Sequence, residues 1–346
     1  MLLYYKDESS MIWDRSIKFI PDVLKIHTLN CLDIGSRGGI QEFFKGYLNL
    51  IQVDAFEPDQ KACRESQETA NQNVHYFPVA LGKKTETVPF YLTCRPSGSS
   101  LYKPNEENMY RYSNAQYGDI DKILDMKVMS YSDFRKTYKR PSANLVKIDT
   151  QGSELDILES FLEEDLKEVI CIIAEVEFIE MYKKQPLFNE VNTFMQNNSF
   201  DLFDLRTARC YLTKKHHRNH YLKKLGFAEG TNRVSGHLIA GDALYFRKFE
   251  DNCPRNQQQF INLLLSYMIF FYFDHALELI ELGLKFNVID SFEYKELELF
   301  IFKMAPKPKI SERQGFIYNV LRKFMTKIGF NRGYQAFWDR KCWPNQ

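Results

Sequence analysis

The sequence predicts an α/β protein: a doubly wound, mostly parallel sheet covered by helices, followed by an α-helical C-terminal extension. Three observations predict it. From residue 30 short apolar runs alternate with helical patterns, one such run passes straight into a glycine-bearing turn at Gly35–Gly39, and beyond about residue 256 the strand pattern gives way to helical periodicity. Strands are expected at 30–34, 51–56, 74–79, 144–149, 169–177, 201–205 and 242–248, with an extra one at 88–93. Helices are expected at 40–48, 59–71, 153–163 and 187–198. Ser153 should cap the third of these, with Asp156 at the third position of a capping box, and Pro186 should open the fourth. Residues 94–126 are polar, Tyr-rich and without clear period, and so long a stretch between core elements is more often functional than idle.

The predicted domain order is an N-terminal helical lead-in at 1–27, a main domain at 28–249 and a helical region at 250–346. Asn252, Pro254 and Asn256 mark the linker. Within the last region, 256–286 and 291–303 read as a helical hairpin and 315–328 as an amphipathic helix. No fixed-period repeat occurs.

Composition narrows the function classes. Of the 346 residues 44% are hydrophobic and 15% aromatic, which describes a globular chain with ample core. Lys and Arg number 46 against 45 Asp and Glu, so the overall field gives no reason to expect a nucleic-acid partner. The seven cysteines form no CxxC pair and read as reduced thiols of a cytoplasmic protein. Asp7, Glu8, Asp14 and Lys18 break up any secretory h-region. The longest apolar run, 263–273, is too short to span a bilayer.

Cys31-Leu-Asp-Ile-Gly-Ser-Arg-Gly-Gly39 is the most informative stretch, because a glycine turn after a strand lets a ligand approach the backbone. Its spacing is Asp33-x-Gly35-x-x-x-Gly39, with Ser36 inside the turn, and differs from the G-x-G-x-x-G that wraps a pyrophosphate. A cofactor without phosphates, such as S-adenosylmethionine (SAM), suits this looser turn. The second strand ends in Phe56-Glu57-Pro58, placing Glu57 22 positions after Gly35, where doubly wound folds put a ribose-binding carboxylate. After the third strand, Pro78-Val-Ala80-Leu81-Gly82 offers an apolar edge for adenine. The competing readings are a glycine turn that serves packing and a solvated strand-end glutamate.

The order CLDIGSRGG, VDAFEPD, VALG, VKIDTQGSELDILES and IIAEVEF resembles the FkbM family of SAM-dependent methyltransferases, and 186–205 and 236–248 resemble that family's C-terminal half. The resemblance covers roughly residues 28–249. It implies a class I SAM-dependent methyltransferase fold and O-methylation, commonly of sugars in surface polysaccharides or of polyketide-type metabolites. It also implies that Ser100, within Ser97-Gly-Ser-Ser100, lines the cofactor or acceptor pocket. The sequence departs from the family at Thr150-Gln151, where Val-Glu is more usual, and at Ser36-Arg37.

Methyl transfer from a sulfonium to an alcohol is an in-line displacement whose hydroxyl proton needs an acceptor. Asp149 closes an apolar strand at the sheet's carboxyl edge, where open α/β sheets hold their ligands. Glu175 and Glu177 lie two apart on the next strand and share a side. Two mechanisms stay open: one of these acids serves as general base, or Asp149 and Glu175 hold Mg²⁺. Asp149 could instead order the methionine end of SAM. His237, just before the last predicted strand, is a further base candidate.

Two basic segments remain. Lys214-Lys-His-His-Arg-Asn-His220, followed by Lys223 and Lys224, could meet a phosphate or uronate, the alternative being a solvated loop; metal binding by His216 and His220 needs further ligands. Residues 303–341 hold ten Lys or Arg against Glu312 and Asp339, and Phe316, Ile317, Val320, Leu321, Phe324, Met325 and Ile328 fall on one helical face. Residues 315–343, with Trp338 and Trp343, would suit peripheral contact with the inner face of a membrane. The alternative is packing on the main domain or on a second copy in a homo-oligomer. Two rival functions are a catalytically silent SAM-binding scaffold and a dinucleotide-dependent sugar oxidoreductase, the latter disfavoured by the missing G-x-G.

Overall fold

The computed structural model describes residues 19–112, 115–210, 223–224 and 236–305. All but Lys223 and Lys224 belong to one compact unit. The basic run at 214–220 and the tail at 315–343 lie outside the described residues, as does most of the N-terminal lead-in; Asp22–Lys25 is a single helical turn.

Ten strands are described: β1 Leu29–Ile34, β2 Ile51–Phe56, β3 Val74–Phe77, β4 Ala80–Leu81, β5 Glu86–Thr93, β6 Ile120–Met129, β7 Leu145–Ile148, β8 Cys171–Glu177, β9 Phe200–Cys210 and β10 His237–Arg247. Seven form the main sheet in the order β3-β2-β1-β7-β8-β10-β9. β10 alone runs against its neighbours, antiparallel to both β8 and β9. From β1 the chain proceeds outward to β2 and β3, and from β7 outward the other way. The strand order therefore reverses between β1 and β7, and such a reversal opens a crevice at the carboxyl ends of the two strands.

Alternation along the strands makes two cores. Leu29, Cys31, Ile51, Val53, Leu145, Cys171, Ile173, Leu244 and Phe246 face one side, while Leu32, Ile34, Phe56, Val146, Ile148, Ile172, Ala174, Ala243 and Tyr245 face the other. Helices Tyr131–Tyr138, Glu154–Leu158 and Phe188–Asn197 contribute Phe134, Ile157 and Met195 to the second side. The first side is closed by the C-terminal helices Gln257–Ile269, Phe273–Lys285 and Ser291–Met304. Phe260, Leu264, Leu279, Leu297 and Phe300 are buried with the strand residues in one cluster. The linker at 250–256 is therefore a short connection within one compact unit, and the helices beyond it complete the sheet's core. Asn256 and Asp290 cap the first and third of them.

Several expectations need correction. Residues 94–126 are not aperiodic throughout: Ile120 opens β6, which pairs antiparallel with β5 and parallel with β4 in a separate three-stranded sheet. Its pattern is obscure because both faces of β6 are largely exposed, so no polar-apolar alternation is required. The segment 256–286 is two helices, broken at Phe270–Tyr272 where Phe271 adopts φ 66°. Ser153 makes no capping bond, and the helix after it spans only Glu154–Leu158. β10 begins at His237, five residues earlier than expected, because it pairs with the full length of β9.

Leu264 is fully buried between the helices and the sheet. Leu264→Ala should cost about 2–5 kcal/mol. Urea denaturation should show one cooperative transition displaced to lower urea; a separate early transition confined to helix signal would mean that the helices do not share the sheet's core.

Candidate active site

The crevice is framed by a charge pair with no exposed surface. Lys147 lies in the middle of β7 at 0% relative exposure, and its ammonium sits 3.0 Å from Asp33, also at 0%. The same ammonium donates to the carbonyls of Ile34 and Gly35, both at 3.2 Å. The other Asp33 oxygen accepts from Gln41 N at 2.9 Å, which draws the end of the glycine turn back over β1. Asp33 is thus occupied in holding the turn, a correction to its expected place as a cofactor contact. The Lys147 ammonium is held above its ordinary value although burial opposes its charge, because Asp33, Asp149 and Glu175 surround it.

Gly35 follows with φ +82°, and a Cβ there would stand 2.0 Å from the Asp149 carbonyl oxygen. Only glycine permits this crossing of β1 against β7. Gly39 also has positive φ. Ser36 is buried, with both its hydroxyl and its backbone N–H directed to Phe56 O, so it pins the turn to β2. Around Gly38 the space is open where a side chain would stand.

Glu57 is buried at the end of β2 and accepts from Asp59 N at 2.8 Å. Burial raises its carboxyl above the usual range, opposed by that N–H and by the Arg37 guanidinium 3.9 Å away. None of the described bonds reaches its second oxygen. Gly35, the open space at Gly38 and this carboxylate fit a cofactor carrying a ribose. Pro58 is half-buried beside it. Leu81 packs in the second core and pairs through β4 with Met129, so the adenine edge expected at Ala80-Leu81 is left to half-buried Ala80.

Across the crevice, half-buried Asp149 and buried Glu175 form a hydrogen-bonded pair. Burial and the Asp149 charge push Glu175 well above the carboxylate range. Asp149 goes the other way: burial opposes its charge, but Lys147 and donors from Glu175 and Gln151 hold it below the usual aspartate value. Of the two, Glu175 is thus the stronger holder of a proton, and Asp149, on the accessible side, gives its proton up more readily. Gln151 bridges them, its Nε2 donating to Asp149 at 2.8 Å and to Glu175. Ser100, expected in a pocket wall, instead donates to Gln151 O at 2.7 Å and so ties the β5–β6 region to this loop.

Glu177 lies on the same strand but is not hydrogen-bonded to Asp149. It is raised well above the carboxylate range by burial and then by nearby Glu154. Three converging acids thus reduce to a pair. His237 is exposed and its ring meets the Tyr112 hydroxyl, apart from the acidic pair. Among the described residues no three His, Cys, Asp or Glu side chains are arranged to hold a metal ion. Asp149 and Glu175 are joined by a proton and an amide, which does not fit Mg²⁺ between them. Two clefts near Thr28 and Asn144 lie at the opposite, amino ends of the strands.

Sequence reasoning missed Lys147, Gln151 as a bridge, and Glu154. A lysine inside the apolar strand Leu145–Ile148 was the available signal for the first. Glu154 accepts from Thr150 N at 2.7 Å and Gly152 N at 2.9 Å, closing the loop that presents Gln151.

Residues 33–202 match the methyltransferase FkbM domain. Residues 33–202 form an FkbM methyltransferase domain. It is the domain of a SAM-dependent methyltransferase, and the sheet order with its one reversed strand is the class I arrangement that the resemblance implied. No curated protein matches the chain. Among solved structures the chain is similar to methyltransferase FkbM from Methylobacillus flagellatus KT, with 13% identity, 63% of this chain and 43% of that one covered, and a TM-score of 0.32. The chain thus spans less than half of that protein's length. It is also similar to precorrin-6y C5,15-methyltransferase from Geobacter metallireducens GS-15 (11% identity, 64% and 81% covered, TM-score 0.30). A third likeness is to the StiE O-MT segment (9% identity, 72% and 76% covered, TM-score 0.32).

The buried acids of the FkbM domain make its stability depend on pH. Burial first, with the Asp149 charge adding, pushes Glu154 up to about 7 against the donors of its loop. Glu154, Glu175 and Glu177 all hold protons in the folded chain that the unfolded chain releases. Their contribution is complete below the ordinary glutamate value and is lost as pH rises toward and through neutrality; that of Asp149 runs the opposite way and is lost only in acid. Denaturant melts should therefore give lower stability at pH 7.5 than at pH 5.5. The slope is at most about 1.4 kcal/mol per pH unit for each proton. Glu154→Gln should flatten the profile between the ordinary value and about 7, and an unchanged slope would show that Glu154 is ionised throughout.

Proposed function

We propose that this chain transfers the methyl group of SAM to a hydroxyl oxygen of a carbohydrate or a related small metabolite. The observation that carries the reading is the half-buried Asp149 at the point where the strand order reverses, beside Gly35 and backed by buried Glu175. When bound there, SAM supplies an electrophilic methyl group. The chain's residues do the rest. The turn at Gly35–Gly39 admits the cofactor against the backbone, and Glu57 accepts hydrogen bonds from its ribose hydroxyls. Asp149 takes the proton of the acceptor hydroxyl as the oxygen–methyl bond forms, and passes it afterwards to water. Half-buried Tyr102 and Tyr117, packed on a small core of Tyr112, Tyr182, Met109 and Met181, keep part of their rings accessible, which suits a polyhydroxylated acceptor.

Calorimetry with SAM is the first test, and Glu57→Ala should weaken binding at least about tenfold through loss of charge-assisted hydrogen bonds. Transfer of labelled methyl into carbohydrate acceptors is the second. Asp149→Asn keeps the shape and should lower turnover by about 10²–10⁴. SAM affinity untouched in the first variant would remove Glu57 from the ribose site. Wild-type turnover in the second would leave Asp149 without the role of base, and SAM binding with no transfer to any acceptor would favour the silent scaffold.

The reading extends to a cytoplasmic location. Among the described residues no helix is long and apolar enough to cross a membrane. The basic amphipathic sequence at 315–343 supports contact with an anionic membrane, each surface Lys or Arg contributing about 1 kcal/mol in a salt-screened field. Full-length chain should co-sediment with anionic liposomes more than with neutral ones, and a chain ending near Ala305 should lose the difference. Equal sedimentation of the two would leave packing on the domain or on a second copy.

A further inference from the structure

Gln151 is a crossing point for four hydrogen bonds. Its Nε2 donates to Asp149 and Glu175, its Oε1 accepts from the Tyr182 hydroxyl at 3.0 Å, and its carbonyl accepts from Ser100 at 2.7 Å. It does so from φ +61°, a left-handed conformation that a side chain of this size adopts rarely. Backbone strain of that kind persists where surrounding contacts over-determine it.

Hydrogen counting assigns the amide its orientation. Asp149 and Glu175 present acceptor oxygens on either side of the amide, and Nε2 has two hydrogens, one for each acid. Turned over, the amide would set its oxygen against carboxyl oxygens. The single Tyr182 hydrogen, shared between Gly98 O and Gln151 Oε1, fits the first orientation. Other charged or titratable groups around the pair are Asp33 and Lys147 on the neighbouring strands, Glu177 on β8, Glu154 in the loop, Tyr182, and Asp242, which stands opposite Glu175 on β10. A glutamate at 151 would place a third acid in direct contact with the pair.

We propose that Gln151 is a positioning residue for the base: its amide clamps Asp149 to Glu175, so that the pair keeps one proton and one negative charge and Asp149 keeps one orientation toward the crevice. The inference rests on the reading of Asp149 as base. It assigns to the chain's own glutamine, where the resembling family more often has glutamate, the task of keeping the site at a single negative charge. That charge matches a cationic cofactor without a metal ion to balance a second one.

The test uses the full-length protein without cofactor, so that it does not depend on an acceptor. Infrared difference titration of the protonated carboxyl band should show a step above the ordinary glutamate range that Glu175→Gln removes. It should also show an acid step that Asp149→Asn removes. Donors to a carboxylate lower its midpoint and a neighbouring carboxylate raises it. The acid step should therefore move up by on the order of one pH unit in Gln151→Ala and further in Gln151→Glu. In the wild type, the Gln151 side-chain amide nitrogen resonance should titrate in step with the pair, a measurement that survives if both variants fail to fold. An acid step at the wild-type position in either folded variant, or an amide resonance indifferent to pH, would overturn the clamp. Calorimetry with SAM on the same samples separates the two claims. Wild-type protein that fails to bind SAM removes the proposed function and leaves the clamp to its titration, whereas intact binding with an unmoved acid step removes the clamp alone.

Discussion

Lys147 brings an ammonium group into the centre of a sheet, and the carboxyl edge is organised around it. A buried charge without a partner costs several kcal/mol, so the segment can fold only with Asp33 beside it and the Ile34 and Gly35 carbonyls turned toward it. Those contacts lock β1 to β7 at the place where the strand order reverses. Gly35 can then lie on the Asp149 carbonyl, and Asp149 emerges at a fixed height beside the turn. The positive charge also separates the two acids: with the donors around it, Lys147 holds Asp149 below the usual value against burial, while burial and the Asp149 charge push Glu175 up.

A second layer of order comes from outside the main sheet. The β5–β6 region reaches the site through Ser100, and the segment after β8 reaches it through Tyr182; both end on Gln151. The loop carrying Gln151 is closed from beneath by Glu154, whose carboxylate takes the N–H groups of Thr150 and Gly152. The edge of the crevice is therefore a meeting of three chain segments on one residue. Its geometry depends on contacts as far apart in sequence as Gly98 and Tyr182. On the far side of the sheet the C-terminal helices provide the apolar cover that an open parallel sheet requires.

Much of this was legible in the residues themselves. Apolar runs located the central strands of the main sheet, because these are buried on both faces and their composition is constrained. The glycines of Cys31–Gly39 and the acid after Phe56 stand where a doubly wound fold holds a nucleoside, and the FkbM domain match covers them. β6 stayed hidden since it is exposed on both faces, and a strand without a buried face leaves no periodic trace. The capping role expected of Ser153 failed for a different reason: its hydroxyl is turned to Thr150 Oγ1 at 2.9 Å, away from the helix donors.

The sequence by itself determined the fold class, the glycine turn, Glu57 and the set of acids from which a base could come, because these follow from local pattern and from spacing along the chain. Only the tertiary structure decided what each acid does. Asp33 and Asp149 are both strand-end aspartates after apolar runs, yet one is wholly buried against Lys147 and the other is left half-open beside Glu175. Glu175 and Glu177 share a strand face, yet Gln151 reaches only the first, and Glu154 is the acid nearest in effect to the second. Charge state and role depend on burial and on the nearest donor, and both are set by segments distant in sequence that meet only when the sheet closes.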